Sequence, residues 1–177
     1  LTMDDYLSLG VLAALDAINK VVPKRKVHGV GYCIGGTLLA IAAAAMAQKE
    51  DERLATVTMF AAQTDFSEPG ELSVFISPAQ LAMLEAMMWK AGVLEGRQMG
   101  GAFQMLRTYD LIWSYRLNNY LLGKRAPMND LMAWNADTTR MPYRMHSEYL
   151  HQLFLDNELA EARYRVDDAP VALTDIR

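Results

Sequence analysis

Cysteine and histidine are scarce in this sequence: one cysteine, Cys33, and three histidines occur among 177 residues. A single cysteine excludes an internal disulfide, and the scattered histidines make a poor zinc site, so we expect no bound metal. The longest apolar run, residues 38–47, is mostly alanine and is too short to span a membrane. These shortages indicate a reduced, cytoplasmic protein that needs no metal or other cofactor.

An excess of positive charge is also missing. Lysine and arginine total 17 against 21 acidic residues, and the net charge is −4. This balance argues against a nucleic-acid partner. The acids that follow Leu1 and Thr2 do not resemble a secretory leader. The remaining composition, 52% hydrophobic and 21% charged, is typical of a soluble globular chain with one core.

The first part of the chain predicts an α/β arrangement. Thr2 and Asp5 resemble a helix start, and residues 26–30 and 54–62 have the β-branched composition of strands. The alanine-rich stretch at residues 37–46 predicts a buried helix between them. A strand, a helix and a second strand within about 35 residues match a right-handed parallel crossover.

The middle of the chain predicts helices only. Ser77 and Pro78 form a capping sequence that starts a helix running towards Gly92. We expect no strand between residues 78 and 157, and a hairpin around Asp167 and Asp168. The further predicted helices are 95–106, 110–122 and 142–155. The chain therefore divides into an α/β part at 1–76, a helical cap or lid at 77–160, and a hairpin at 161–177.

Cys33 lies in the sequence GYCIGGT, between a predicted strand and a predicted helix. The spacing Gly31-x-Cys33-x-Gly35 is that of a nucleophile elbow with Cys in place of Ser. Small residues let strand and helix approach, and the helix N-terminus would stabilise a thiolate. The alternative is a buried, inert cysteine. The flanking strand and helix favour the elbow.

No base or acid is well placed to serve this cysteine. His146 and His151 follow it in the sequence, but both fall in a predicted helix, where a histidine is more often structural. Asp65 follows the second strand, and Asp137 lies in WNADTT; both read as turn or capping residues. His28 lies on the strand before the elbow and is a poor candidate.

Five motifs span nearly the whole chain: GYCIGGT (31–37), AAQTDFSEPGEL (61–72), DLIWSYRLNNYLLG (110–123), WNADTTRMP (134–142) and MHSEYL (145–150). In their order and spacing they together resemble the polyhydroxyalkanoate synthases. Two positions depart from that family's pattern: Tyr109 stands where Asn is usual, and Asn129 where an aromatic residue is usual.

The resemblance implies a partial α/β-hydrolase fold with a cap insertion and assigns roles to a few residues. Cys33 would be the nucleophile, and the Ile34 N–H would be an oxyanion donor. Gly31, Gly35 and Gly36 would form the elbow. The catalytic Asp and His are expected beyond residue 177, so these residues alone are expected to be inactive.

The implied reaction is the polymerisation of (R)-3-hydroxyacyl-coenzyme A, through a thioester on Cys33, with release of coenzyme A. The implied partners are the growing polyester and a second copy bound through the cap, in the cytoplasm at polymer granules. Two alternatives stay open: a cysteine acyl hydrolase or thioesterase on the same fold, and a non-catalytic segment that dimerises or binds granules.

Methionines are concentrated in the two predicted helices that begin the cap. Core packing at helical spacing is one interpretation, and an adaptable apolar surface for a partner or an acyl chain is the other. The residues are Met83, Met87, Met88, Met99 and Met105, with Trp89 among them.

Overall fold

The computed structural model describes residues 1–124, 127–137 and 139–177, and within them the chain is a mixed α/β structure. This confirms the predicted α/β class. The helices are α1 (3–21), α2 (Ile34–Gln48), α3 (Pro78–Trp89), α4 (Gly96–Leu106), α5 (109–121), α6 (Asp130–Ala136) and α7 (143–155). The strands are β1 (Val27–Tyr32), β2 (Leu54–Phe60), β3 (Val93–Leu94), β4 (Met141–Pro142), β5 (Arg165–Val166) and β6 (Ala169–Pro170). Helices α1, α5 and α7 contain π-helical stretches, at Tyr6–Leu12, at Tyr109–Trp113 and Leu117–Leu121, and at Tyr149–Leu155.

The strands β1 and β2 pair in parallel, and α2 crosses between them as predicted. Gly31 pairs with Met59 and Tyr32 with Phe60, so both strands end at the same edge of the sheet. This is the edge formed by the carboxyl ends of the strands, where parallel sheets usually hold their functional side chains.

Helix α2 is the centre of the core. Its alanines are small enough to let the sheet, α1, α7 and the C-terminal hairpin approach closely. Ala42 and Ala44 are completely buried, and the same cluster contains Leu7 of α1, Leu153 of α7 and Val171 after the hairpin. The two ends of the chain therefore pack on one helix.

The opposite face of the sheet is largely open. Val30 and Tyr32 of β1 and Phe60 of β2 are each more than half exposed. His28 lies on this face, where its Nδ1 is 2.8 Å from the Thr56 hydroxyl. Within the described residues, nothing covers these apolar side chains.

The capping and hairpin predictions are confirmed. Thr2 and Asp5 form a reciprocal capping box at the start of α1, and the Ser77 hydroxyl accepts a hydrogen bond from the Gln80 N–H at the start of α3. The turn between β5 and β6 has positive φ at both Asp167 (49°) and Asp168 (62°). That conformation suits a two-residue hairpin turn, and aspartate tolerates it better than most residues.

The prediction that no strand lies between residues 78 and 157 is wrong. Val93 and Leu94 of β3 pair antiparallel with Pro142 and Met141 of β4. A two-residue ladder has no periodicity to detect in the sequence. It closes a long segment, residues 95–140, which we call the excursion.

Helix α6 was not among the predicted helices. Asn129 caps its N-terminus, and the Asn129 side-chain oxygen accepts a hydrogen bond from the Met132 N–H at 2.8 Å. This cap gives Asn129, one of the two departures from the family pattern, a local structural role.

The excursion packs weakly. Helices α4, α5 and α6 contain no buried residue among those described. Core packing is the wrong interpretation for Met105 of the excursion and for Met83 and Met87 of α3, because all three are well exposed. It is correct for Met88 of α3, which is fully buried. Of the helices described here, none is both long and apolar enough to cross a membrane.

Candidate active site

Cys33 occupies a sharp turn between β1 and α2. Its φ is 51° and its ψ is −128°, a conformation that residues other than glycine rarely adopt. The turn is held on both sides: the Cys33 N–H donates to Phe60 O at 2.9 Å, and its carbonyl accepts from the Gly36 and Thr37 N–H groups. The side chain is exposed. A strained backbone therefore presents an accessible thiol, and a buried position for Cys33 is excluded.

Two of the three elbow glycines are required by close backbone approach. A Cβ at Gly31 would lie 2.5 Å from Gly36 Cα, and one at Gly36 would overlap Ala62 Cβ. A Cβ at Gly35 would meet nothing within 4 Å. The expectation that Gly35 prevents a clash between strand and helix is therefore wrong, and Gly36 has that role.

The first turn of α2 offers unpaired donors beside the thiol. No side chain caps this helix N-terminus. Ile34 and Gly35 are its first residues, so their N–H groups have no partner within the helix. Partial positive charge at this end of a 15-residue helix favours an anion, such as a thiolate or an oxyanion.

Neither downstream histidine hydrogen-bonds to Cys33 in the structure as described. His146 of α7 is buried, its Nδ1 has no partner, and burial lowers its pKa to about 4. His151 Nε2 lies 3.0 Å from Glu85 Oε1, and the same oxygen accepts from the Ser147 hydroxyl. The contacts of His151 and Ser147 with Glu85 join α7 to α3, whereas His146 is packed in the interior without a hydrogen bond to its Nδ1.

Asp65 is a turn residue, as the sequence indicated. Its Oδ1 accepts hydrogen bonds from the Ser67 N–H and from Asn157 Nδ2, both at 2.9 Å, and these lower the pKa of Asp65. Asp137, the other candidate acid, lies at the C-terminal end of α6.

The loop after β2 is fastened to both the elbow and α7. The Thr37 hydroxyl, in the first turn of α2, donates to Gln63 O at 2.7 Å. The Phe66 N–H donates to Asn157 Oδ1 at 2.8 Å, just beyond α7. The loop therefore brings α7 to the edge of the sheet where Cys33 lies.

Tyr149 of α7 is a neighbour of the site that the sequence did not identify. Its ring meets the buried Phe66 edge-to-face, with 6.0 Å between centroids, and lies 5.3 Å from Phe154. Burial raises the pKa of Tyr149, and negative charge on Cys33 raises it further. No sequence spacing could have revealed this, because 116 positions separate it from Cys33 and only the folded loop joins them.

A metal centre has no basis in the described residues, which contain no group of three or more histidine, cysteine, aspartate or glutamate side chains able to hold an ion. The site consists of an exposed thiol at a helix N-terminus, and the loop after β2 carries Phe66, which packs against Tyr149 of α7.

Comparison with known proteins gives a consistent set of relatives, although no family model matches the chain. The chain is 43% identical over 172 residues to the poly(3-hydroxyalkanoate) polymerase subunit PhaC of Rhizobium meliloti (strain 1021), an alignment that covers 97% of this chain and 28% of that protein. It is 42% identical over 160 residues to the poly(3-hydroxyalkanoate) polymerase of Methylorubrum extorquens, covering 90% of this chain and 26% of that protein. It is 31% identical over 181 residues to the PhaC subunit of Cupriavidus necator, covering 99% and 31%.

The chain thus spans between a quarter and a third of the length of these relatives. The alignments include the whole stretch from β1 to the excursion in this chain, since nearly all of its residues are matched. By sequence, this chain is similar to one segment of the poly(3-hydroxyalkanoate) polymerases.

Proposed function

We propose that this chain carries the nucleophile of an acyltransferase that polymerises (R)-3-hydroxyacyl-coenzyme A into polyhydroxyalkanoate. The observation that carries the proposal is Cys33: an exposed thiol in a left-handed turn at the N-terminus of α2, in a chain whose relatives are named polymerases. Thiolates are strong nucleophiles, and helix N-termini stabilise them.

In the first half-reaction a base removes the Cys33 proton, and the sulfur attacks the thioester carbonyl carbon. The carbonyl oxygen gains negative charge and accepts a hydrogen bond from the Ile34 N–H, which has no partner within α2. The carbon–sulfur bond to coenzyme A then breaks. Coenzyme A leaves with the proton, and the acyl group remains on Cys33 as a thioester.

In the second half-reaction the hydroxyl of a neighbouring hydroxyacyl unit attacks that thioester. An ester bond forms, the bond to Cys33 breaks, and the thiol regains a proton from the hydroxyl through the base. Cysteine suits this exchange because a thioester is traded for a thioester in the first step, so the acyl group stays activated for the second.

The catalytic histidine and aspartate are proposed to lie outside these 177 residues. Support comes from the surroundings of the candidates within them. His146 is buried and neutral, His151 is engaged with Glu85, and Asp65 is engaged by Ser67 and Asn157.

We assign residues 1–76 to a partial α/β-hydrolase core, 77–160 to a cap, and 161–177 to a hairpin that leads back to the core. Two contacts support a cap close to the nucleophile: Phe66 against Tyr149, and the Phe66 N–H with Asn157. A cap there would keep water from the Cys33 thioester, because hydrolysis competes with chain growth.

The apolar surface of the excursion favours a second role, in binding another copy of the chain or a polymer granule in the cytoplasm. Its helix α5 exposes Tyr109, Trp113, Tyr120 and Leu121, each by more than half. Exposed apolar area of this extent marks an interaction surface. Such a role also fits a segment that does not catalyse by itself.

Release of coenzyme A from (R)-3-hydroxybutyryl-coenzyme A tests the catalytic proposal. The assay compares this 177-residue chain with the full-length protein that contains it, and each with its Cys33→Ala variant. We expect release by the longer protein only, polyester as product, and loss of both in Cys33→Ala. Free hydroxy acid without polymer would instead indicate a thioesterase, and unchanged release in Cys33→Ala would overturn the role of Cys33.

Sedimentation tests the surface proposal. Met105→Gln with Trp113→Gln changes two exposed side chains of the excursion, one in α4 and one in α5. We expect weaker self-association or weaker binding to polymer granules. If association and granule binding are both unchanged, these two side chains are not part of the surface.

A further inference from the structure

Asn157 lies just beyond the end of α7, in a left-handed backbone conformation. Its φ is 47°, and its N–H donates to Leu153 O at 3.1 Å, as in a residue that terminates a helix. Glycine adopts this conformation at the lowest cost, and asparagine is among the few other residues that tolerate it. The backbone of this position would therefore be satisfied by glycine, and the Asn157 side chain has to be explained by its own contacts.

The Asn157 side chain is bound at both of its polar atoms by the loop after β2. Its Oδ1 accepts from the Phe66 N–H at 2.8 Å, and its Nδ2 donates to Asp65 Oδ1 at 2.9 Å. The second bond involves a carboxylate, and charge-assisted bonds are stronger than those between neutral groups. The same Asp65 oxygen accepts from the Ser67 N–H, which fixes the carboxylate within the loop. We call the two bonds made by Asn157 the Asn157 clip.

The loop that the clip holds is also fastened to the turn at Cys33. The Cys33 N–H donates to Phe60 O at 2.9 Å, and the Thr37 hydroxyl donates to Gln63 O at 2.7 Å. The Thr37 N–H in turn donates to Cys33 O at 3.2 Å. Only residues 63–66 of the loop separate these bonds from the Asn157 clip, so the end of α7 is connected to the backbone of Cys33 through a short, hydrogen-bonded path.

The loop contains a second strained residue beside Cys33. Ala61 has a φ of 47°, and Cys33, at the end of the neighbouring strand, has a φ of 51°. Residues other than glycine rarely adopt such values, and they persist only where the surrounding contacts impose them. For Ala61 those contacts are the bonds to the elbow on one side and the Asn157 clip on the other.

We propose that Asn157 is a positioning residue for the reaction: through the Asn157 clip it holds the loop after β2, and through that loop it holds the turn that presents Cys33. The proposal rests on the proposed function of Cys33 and deepens it. The attacking sulfur has to meet the carbonyl carbon in a defined geometry while the Ile34 N–H faces the developing oxyanion. Loss of the clip would let the loop and the turn shift, and productive attack would become rarer without weaker binding of the thioester.

Kinetics of coenzyme A release from (R)-3-hydroxybutyryl-coenzyme A by the full-length protein test the proposal. Asn157→Gly keeps the left-handed backbone and removes the clip. Ala162→Gly is the matched control, because Ala162 also has a positive φ (55°) and its methyl group makes no hydrogen bond. We expect Asn157→Gly to lower kcat roughly tenfold and to change KM by less than about twofold, whereas Ala162→Gly should leave both unchanged. Melting curves establish that each variant is folded.

An exchange of the two side chains provides a rescue. Asn157→Asp alone places two carboxylates against each other, and we expect it to lower kcat as Asn157→Gly does. Asp65→Asn combined with Asn157→Asp again places a donor opposite an acceptor, and the new carboxylate can still accept from the Phe66 N–H. The double variant should return kcat to within about threefold of the unsubstituted protein.

Hydrogen–deuterium exchange of the same full-length variants gives a readout that needs no reaction. We expect faster exchange in Asn157→Gly, and not in Ala162→Gly, in the peptides that contain residues 31–37 and 60–67. Unchanged exchange at 31–37, an unchanged kcat, a large rise in KM or a double variant as slow as Asn157→Asp would each overturn the positioning role and leave Cys33 as the proposed nucleophile. If the unsubstituted protein releases no coenzyme A, the proposed function fails and the positioning role fails with it.

Discussion

The core around α2 and the excursion both contain many apolar side chains but bury them to very different extents. Ala42 and Ala44 of α2 are fully buried, whereas Tyr120 of α5 is 86% exposed. Small side chains let α2 be surrounded on all sides, and large ones in the excursion have nothing described to pack against. Apolar composition alone therefore does not distinguish a buried core from an exposed apolar surface.

The largest predicted difference between the two regions is in the loss of stability when a leucine is truncated to alanine. Leu153 of α7 is completely buried, whereas Leu121 of α5 is 69% exposed. We expect Leu153→Ala to lower the free energy of unfolding by about 4 kcal/mol, because it leaves a cavity in the core. Leu121→Ala should change it by less than about 0.5 kcal/mol. Urea unfolding measures both, and equal losses would contradict the division into core and excursion.

At the elbow, alanine substitutions at two glycines four positions apart should differ in stability, by a smaller amount than the leucine pair. Gly31→Ala would place a methyl group against the backbone of Gly36, and we expect a loss of about 3 kcal/mol. Gly35→Ala meets open space inside a helix, and should be neutral or stabilise by up to about 1 kcal/mol. Thermal unfolding measures the difference, and a similar destabilisation by both would mean that the strand and helix approach differently.

Acid should lower the free energy of unfolding through protonation of His146. This is the smallest of the three predicted changes in stability. Burial lowers the pKa of His146 to about 4, below its ordinary value of 6.5. The unfolded chain therefore takes up this proton first as the pH falls, and stability that is complete above pH 6.5 declines towards pH 4. We expect a loss of about 2 kcal/mol between about pH 7.5 and pH 5.

The variant His146→Met should remove this slope, because it has no group to protonate. His28→Asn is the control, since His28 is exposed on β1. Urea unfolding at the two pH values gives the comparison. If His146→Met retains the full slope, another group carries the pH dependence.

The sequence was sufficient for the features that depend on local patterns. The parallel pair β1–β2, the crossover helix α2, the caps at Thr2 and Ser77, and the tail hairpin all follow from short-range chemistry. The turn at Cys33 belongs with them, because its glycines mark a close approach of strand and helix.

The features that were missed depend on contacts between distant parts of the chain. The β3–β4 ladder joins residues about fifty positions apart through only two residues of each strand. The assignment of the close approach to Gly35 in place of Gly36 failed because only the path of β2 places Ala62 beside Gly36. The contact between Phe66 and Tyr149 joins the loop after β2 to α7, and no periodicity encodes it.

The central claim is that Cys33 is the nucleophile, and the direct test is peptide mass spectrometry after mixing with (R)-3-hydroxybutyryl-coenzyme A. The full-length protein should be stopped by acid, digested, and compared with its Cys33→Ala variant. The account predicts one or more hydroxybutyryl groups on the peptide that contains Cys33, linked by a bond that hydroxylamine cleaves. An unmodified Cys33 in a protein that still releases coenzyme A would contradict it.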